Sequence, residues 1–332
     1  MPRSIADVAA SPRWERVLTL VATAVSAGPQ VVVVDGFAYA TEFADHLGRA
    51  LATHGRDHVR GPVRPASPAP SAGAPLVVVA GPWPAHPPDV LIWLRTGPVA
   101  DRPSREHEAQ VVVDLRDLAW PVIQHIDEAL FDRGSWHLGE VRAFFAARAG
   151  TWDTKYGDDL PAYAAAVAET GVPVGGLAID VGCGTGRALP ALRDAVGPAG
   201  RVLGLDITEE MLAVARTSGR ARHADVLLAD ANRLPLVPAV VDVVFAAGLV
   251  GHVPGVDALL CEFARVTKPG GRLALFHPTG RAALAARHGR TLRPHEPLAE
   301  APLRQALARA GWRLDRYCDD PDRFYALAIH SG

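Results

Sequence analysis

Short apolar runs alternate along this chain with stretches whose apolar residues recur every three or four positions. The runs at 31–34, 76–80, 90–94 and 111–113 are rich in Val and Leu and have the length of strands buried on both faces. After the first of them, Phe43, Leu47 and Leu51 stand four apart, so a helix over 41–54 would carry one apolar side. The apolar stretch 17–27 predicts an earlier helix and not a secretion signal, because Asp7 and Glu15 precede it and a strand follows at once. Residues 61–75 are dense in Pro, Ala, Ser and Gly and predict an exposed loop. A further helix is expected at 122–130. The turn formers Asp132, Arg133, Gly134 and Ser135 then predict a boundary.

Beyond that boundary a helix is expected at 139–149. Runs at 177–181, 202–205, 226–229, 240–246 and 273–276 follow, separated by helical spacings such as Leu189, Leu192 and Val196. Strands alternating with helices predict parallel sheets covered on both faces. The 332 residues therefore divide into two α/β domains, 1–135 and 136–332.

Composition narrows the function classes. Apolar residues at 49% and charged residues at 21% are those of a folded globular chain. A formal net charge of -2 supplies no basic footprint, so neither nucleic acid nor an anionic membrane is expected as a partner. No apolar run reaches the roughly 18 residues of a spanning helix. Cys183, Cys261 and Cys318 are far apart and form no CxxC pair, which argues against disulfides and a zinc site. No metal is expected, and a cytoplasmic, reducing setting fits.

The richest chemistry lies in Ile179-Asp180-Val181-Gly182-Cys183-Gly184-Thr185-Gly186. Three glycines between a strand and a helix let the backbone turn sharply and approach a ligand, with free N–H groups at the helix start. The spacing departs from the dinucleotide GxGxxG, since Arg187 stands where that pattern wants glycine. Asp206 ends the next predicted strand, where a carboxylate can accept two ribose hydroxyls. Asp230-Ala231 follows one strand later, placed to receive an amino group. Alternatively, both acids serve as helix caps or turn residues, and Cys183 and Met211 belong to the core.

With these motifs, and with Leu234-Pro235-Leu236 and Arg265-Val266-Thr267-Lys268-Pro269-Gly270-Gly271 in order behind them, residues 144–271 resemble the class I S-adenosylmethionine-dependent methyltransferases of the small-molecule type. The resemblance implies a Rossmann-like seven-stranded sheet with a final antiparallel hairpin, for which 325–329 is a candidate strand. It implies S-adenosylmethionine (SAM) as cofactor and S-adenosylhomocysteine (SAH) as product. Gly182, Gly184 and Gly186 would pass beside the methionine part, Asp206 would bind the ribose, and Asp230 with the Ala231 N–H would bind the adenine. Gly248 would line the methionine end and Met211 would pack near the adenine; Asp180 and Ile207 belong to the same cofactor-binding set. Trp152, Asp153 and Tyr156 resemble the family's covering segment, so that Tyr156 would contact the methionine carboxylate.

Methyl transfer to an O, N or C atom of a small-molecule acceptor follows from the resemblance, with His252 and His277 as candidate bases. Both histidines have a structural alternative. Other readings are a non-methylating SAM enzyme, such as one that rearranges or cyclises its substrate, and a non-catalytic cofactor-binding scaffold.

The first domain, from the strand ending in Asp35-Gly36 through Thr41-Glu42-Phe43 to Val111-Val112-Val113-Asp114, resembles a P-loop nucleoside kinase of the uridine kinase type. It departs from that family at the phosphate loop, which is too short, and no lysine precedes Lys155. A smaller, degenerate kinase-like α/β domain without phosphate transfer is therefore expected. It would serve as a docking or homodimerisation surface, as part of the acceptor site, or as a structural remnant.

Overall fold

The computed structural model describes residues 4–26, 31–36, 38–60, 76–80, 88–96, 106–127, 129–131, 133–156, 158–287, 292 and 295–332. The predicted loop 61–75 lies outside the described residues, as does Asp132. The chain divides into two compact units, Met1–Glu140 and Val141–Gly332.

The first unit runs α1 (Pro12–Ser26), β1 (Val31–Gly36), α2 (Ala40–Thr53), β2 (His58–Arg60), β3 (Leu76–Ala80), β4 (Val90–Arg95), β5 (Val111–Asp114) and β6 (Val122–Ile126), then enters α3 (Arg133–Ala146). Its sheet has the order β2-β3-β1-β4-β5-β6, parallel from β2 to β5, with β6 antiparallel at the edge. Alternation along β1 explains the layering. Val32 and Val34 join a core with Trp14, Val17 and Val21 of α1 and Phe43, Leu47 and Leu51 of α2, while Val33 joins Val79, Leu91 and Trp93 on the opposite face.

Two local elements differ from the sequence expectation. Residues 122–126 form a strand and not the start of a helix: Ile123 pairs with Val113 and Val122 with Asp114. A short apolar run satisfies both periods, and β-branched Val122, Ile123 and Ile126 gain ladder partners and burial on the edge of β5. The turn expected at 132–135 is also absent from 133–135, which open α3. That helix carries buried Trp136 into the first core. It also carries Glu140, which accepts hydrogen bonds from Arg13 and from the Ile123 N–H (2.9 Å).

The second unit continues with α4 (Trp152–Tyr156), α5 (Leu160–Thr170), β7 (Leu177–Val181), α6 (Leu189–Val196), β8 (Arg201–Asp206), α7 (Glu209–Thr217) and β9 (Asp225–Leu228). After these come β10 (Val241–Ala247), α8 (Val256–Val266), β11 (Thr267–His277), α9 (Arg281–Arg287), α10 (Glu300–Arg309), β12 (Trp312–Asp320) and β13 (Arg323–His330). The sheet order is β12-β13-β11-β10-β7-β8-β9, with only β13 antiparallel to its neighbours β11 and β12. This is the expected seven-stranded sheet with its closing hairpin. Helices α5 and α6 cover one face through Val167, Leu189, Leu192 and Val196, and α8 and α10 cover the other through Leu259, Phe263, Leu303 and Leu307.

β11 begins six residues before the apolar run at 273–276, because the stretch before that run forms a bulge inside the strand. Pairing jumps from Val241–Thr267 to Val243–Arg272, with Gly270 at φ 77°. β7 lies where the strand order reverses, between β10 and β8. The crevice beyond its carboxyl end is where open α/β sheets bind ligands.

Candidate functional site

At that switch point the chain leaves β7 through the glycine turn, and the three glycines do different work. A Cβ on Gly184 would meet no described atom within 4 Å, so this backbone borders open space. A Cβ on Gly186 would stand 3.0 Å from Leu189 and 3.2 Å from Ala215, and one on Gly182 would stand 3.0 Å from Leu249; these two glycines permit close packing.

Three predicted acids lie at successive strand ends. Asp206 spans two backbone segments: its Oδ2 accepts from the Gly184 N–H and its Oδ1 from the Thr208 N–H, both at 2.8 Å. Asp180 is 2% exposed, and its Oδ1 accepts no hydrogen bond among the described residues. Burial, reinforced by the negative charge of Asp206, pushes Asp180 up to about 8. Burial also raises Asp206, against the lowering effect of the Thr208 and Gly184 amides. Asp230 closes a local turn by accepting from the Asn232 N–H (2.9 Å), and Ala231 beside it is nearly buried. Asn232 Oδ1 is buried without a partner among the described residues. Met211 lies buried on α7 beside Leu212, and Ile207 is half-buried between Asp206 and Thr208.

The candidate bases have unlike surroundings. His277 ends β11, and its Nδ1 lies 2.8 Å from the Thr279 carbonyl oxygen, which can only accept; Nδ1 therefore carries the proton and Nε2 the lone pair. Burial lowers its pKa, so the ring is neutral at neutral pH. Gly248 lies alongside, where an added Cβ would be 3.7 Å from the His277 ring. His252 instead joins a half-buried aromatic group, 4.9 Å from the Phe145 ring and 6.3 Å from that of Phe144, with Trp152 5.4 Å from Phe145. Tyr156 closes α4, and its side chain lies outside the described part.

Sequence reasoning missed an ion cluster beneath α4. Arg187 is buried, with its guanidinium on Asp153 (3.1 Å) and on Asp159, while Arg220 reaches the other oxygen of Asp153 (2.6 Å). The Thr185 hydroxyl, inside the glycine turn, donates to Asp153 at 2.8 Å. The usable signal was Arg187 itself, since an arginine in a core-facing turn requires acids near it. Among the described residues no three His, Cys, Asp or Glu side chains gather as they would around a metal ion, and no helix is long and apolar enough to cross a membrane.

Residues 179–275 match the family described as a methyltransferase domain. Ubiquinone/menaquinone biosynthesis C-methyltransferase UbiE of Burkholderia mallei is 32% identical over 168 residues, which are 49% of this chain and 62% of the relative. A protein encoded in a transposon of Streptomyces fradiae is 39% identical over 102 residues, 30% of each chain. The chain thus spans 30% of the length of one of these relatives and 62% of the other. Among solved structures, a SAM-dependent methyltransferase from Aquifex aeolicus is 25% identical at a TM-score of 0.46, covering 56% of this chain and 98% of that one. Magnesium protoporphyrin IX methyltransferase from Synechocystis, with bound SAH, is 20% identical at 0.47, covering 59% and 100%. The segment that matches the methyltransferase-domain family lies within the second unit and holds the glycine turn, Asp206, Asp230 and the end of β10.

Proposed function

We propose that this chain is a SAM-dependent methyltransferase acting on an O, N or C atom of a small-molecule acceptor. The observation that carries the reading is the convergence of the glycine turn, Asp180 and Asp206 at the switch point of a methyltransferase-domain sheet. The residues fit the cofactor. SAM presents N–H donors on its ammonium and adenine amino groups, and the site holds two buried acceptors without partners among the described residues, Asp180 Oδ1 and Asn232 Oδ1. Each oxygen of Asp206 keeps a lone pair for a ribose hydroxyl beyond the amide it already serves. Gly184 offers backbone beside open space for the methionine part, with Gly182, Gly186, Ile207, Met211, Ala231 and Gly248 shaping the surroundings.

Bound SAM would supply an electrophilic methyl group on its sulfonium. The protein's tasks are then alignment and, for a hydroxyl acceptor, removal of a proton. Neutral His277, with Nδ1 held by Thr279, offers Nε2 for that proton. His252, set among Phe144, Phe145 and Trp152, offers an aromatic wall for the acceptor and a second nitrogen.

For the first unit we propose a degenerate P-loop-kinase-like domain that transfers no phosphate. The parallel order β2-β3-β1-β4-β5, with Gly36 ending the central strand ahead of α2, supports the kinship. The absence of any lysine before Lys155 supports the loss.

Calorimetric titration of the protein with SAM, SAH and ATP tests both readings. Binding of the first two without ATP is the expected result. Failure to bind either SAM or SAH would overturn the methyltransferase reading, and ATP binding at about micromolar affinity would overturn the second.

A further inference from the structure

Asp153, Asp159, Arg187 and Arg220 form a cluster whose formal charges cancel. It joins three separate pieces of chain. Asp153 lies in α4; Thr185 and Arg187 belong to the glycine turn and its exit; Arg220 follows α7, the helix that carries Met211. Asp153 is the hub. Its Oδ1 accepts from the Thr185 hydroxyl (2.8 Å) and from Arg187 Nε and Nη2 (3.2 and 3.1 Å), and its Oδ2 accepts from Arg220 (2.6 Å). Arg220 also donates to the Thr185 carbonyl at 3.1 Å, so Thr185 is held through both its side chain and its backbone, next to the Gly184 that borders open space.

We propose that Asp153 is a positioning residue that clamps α4 onto the glycine turn and so holds the bound cofactor in place. The proposal rests on the SAM reading for the identity of the ligand, but the clamp belongs to the chain itself. Burial disfavours the ionised form of Asp153, yet hydrogen bonds from Arg220, Thr185 and Arg187 outweigh it and keep the carboxyl below its usual range. The clamp is thus closed at neutral pH. Arg187 is too buried to be left with Asp159 alone without cost, and Arg220 pairs with no other acid among the described residues, so neutralising Asp153 loosens all three pieces at once.

The test uses the full chain and Asp153→Asn, which keeps the shape and the acceptor for Thr185 but removes the charge. Two readouts are taken: the SAH association and dissociation rates, and amide hydrogen exchange at 152–156 with and without SAH. A clamp predicts that SAH dissociates at least about tenfold faster with little change in association, and that exchange at 152–156 rises already in the ligand-free variant while the rest of the sheet keeps its protection. A merely structural role would raise exchange throughout the unit. If Asp153→Asn does not fold, Arg220→Gln replaces it: it removes one leg of the cluster, leaves both buried contacts of Arg187, and is expected to raise the dissociation rate by about threefold or more. Unchanged local exchange together with an unchanged dissociation rate overturns the clamp. If the wild-type chain fails to bind SAH, the ligand reading falls, and exchange in the ligand-free proteins alone decides the clamp.

Discussion

Asp180 makes the protein's stability depend on pH in an unusual direction. Its carboxyl is buried, one oxygen lacks a partner among the described residues, and its pKa is pushed from the ordinary 3.8 to about 8. Between those values the folded chain holds a proton that the unfolded chain releases, so stability falls as pH rises and the loss levels off above the folded pKa. At about 1.4 kcal/mol per unit, the window from about pH 5.5 to about pH 8 corresponds to roughly 3 kcal/mol. The perturbation is Asp180→Asn, which keeps the volume and cannot ionise. Urea unfolding of wild type and variant, without ligand, is followed at about pH 5.5, 7 and 8.5; comparing the two cancels the groups that do not interact with Asp180 and leaves its titration together with the coupled Asp206. The variant is expected to gain on the wild type by roughly 3 kcal/mol across the series, most of it before about pH 8. Parallel curves would falsify the claim that Asp180 enters the fold as a neutral acid.

Asp206→Ala strands the amides of Gly184 and Thr208 and removes the proposed ribose acceptor, so SAH affinity measured by calorimetry should fall by about 100-fold or more, and retained affinity would remove Asp206 from the site. His277→Asn can keep a donor for Thr279 while losing the basic nitrogen. Turnover of a hydroxyl acceptor should drop about 100-fold or more with SAH affinity unchanged, and equal turnover would exclude His277 as the base. Glu140→Ala leaves Arg13 buried without its acid, and should cost about 3–5 kcal/mol in the first unit's unfolding transition; a change below about 1 kcal/mol would show that the pair is solvated.

Much of the second unit was legible because its signals are local. Each strand from β7 to β11 holds a short apolar run, and the glycine turn stands directly behind the first of them. β12 gives no such signal. It buries Trp312 and Leu314 but turns Arg313, Asp315 and Arg316 outward, the pattern of an edge strand that only its partner β13 defines. β6 was misread for a related reason, since five apolar-rich residues do not separate the two periods until β5 supplies a ladder. In the site, Asp180, Asp206 and Asp230 are visible as acids at strand ends. The oxygen of Asp180 that has no partner among the described residues, and the use of both Asp206 oxygens by backbone amides, depend on three-dimensional neighbours. The pairing of Asp153 with Arg187 spans 34 positions and has no periodic trace at all.

Helix α3 has a consequence for how such a chain can be cut or recombined. The two compact units part between Glu140 and Val141, in the middle of a continuous helix, without an intervening linker. A gene joint placed at the glycine and serine of 134–135 would take Trp136 and Glu140 away from the fragment whose core they complete. One placed after Glu140 would leave both pieces with a severed helix and newly exposed backbone ends. The start of α3 belongs with the first core and its end carries Phe144 and Phe145 against His252 of the second unit, so fusion libraries should yield soluble protein only where 133–146 stays intact and neither half is exchanged at a joint inside it.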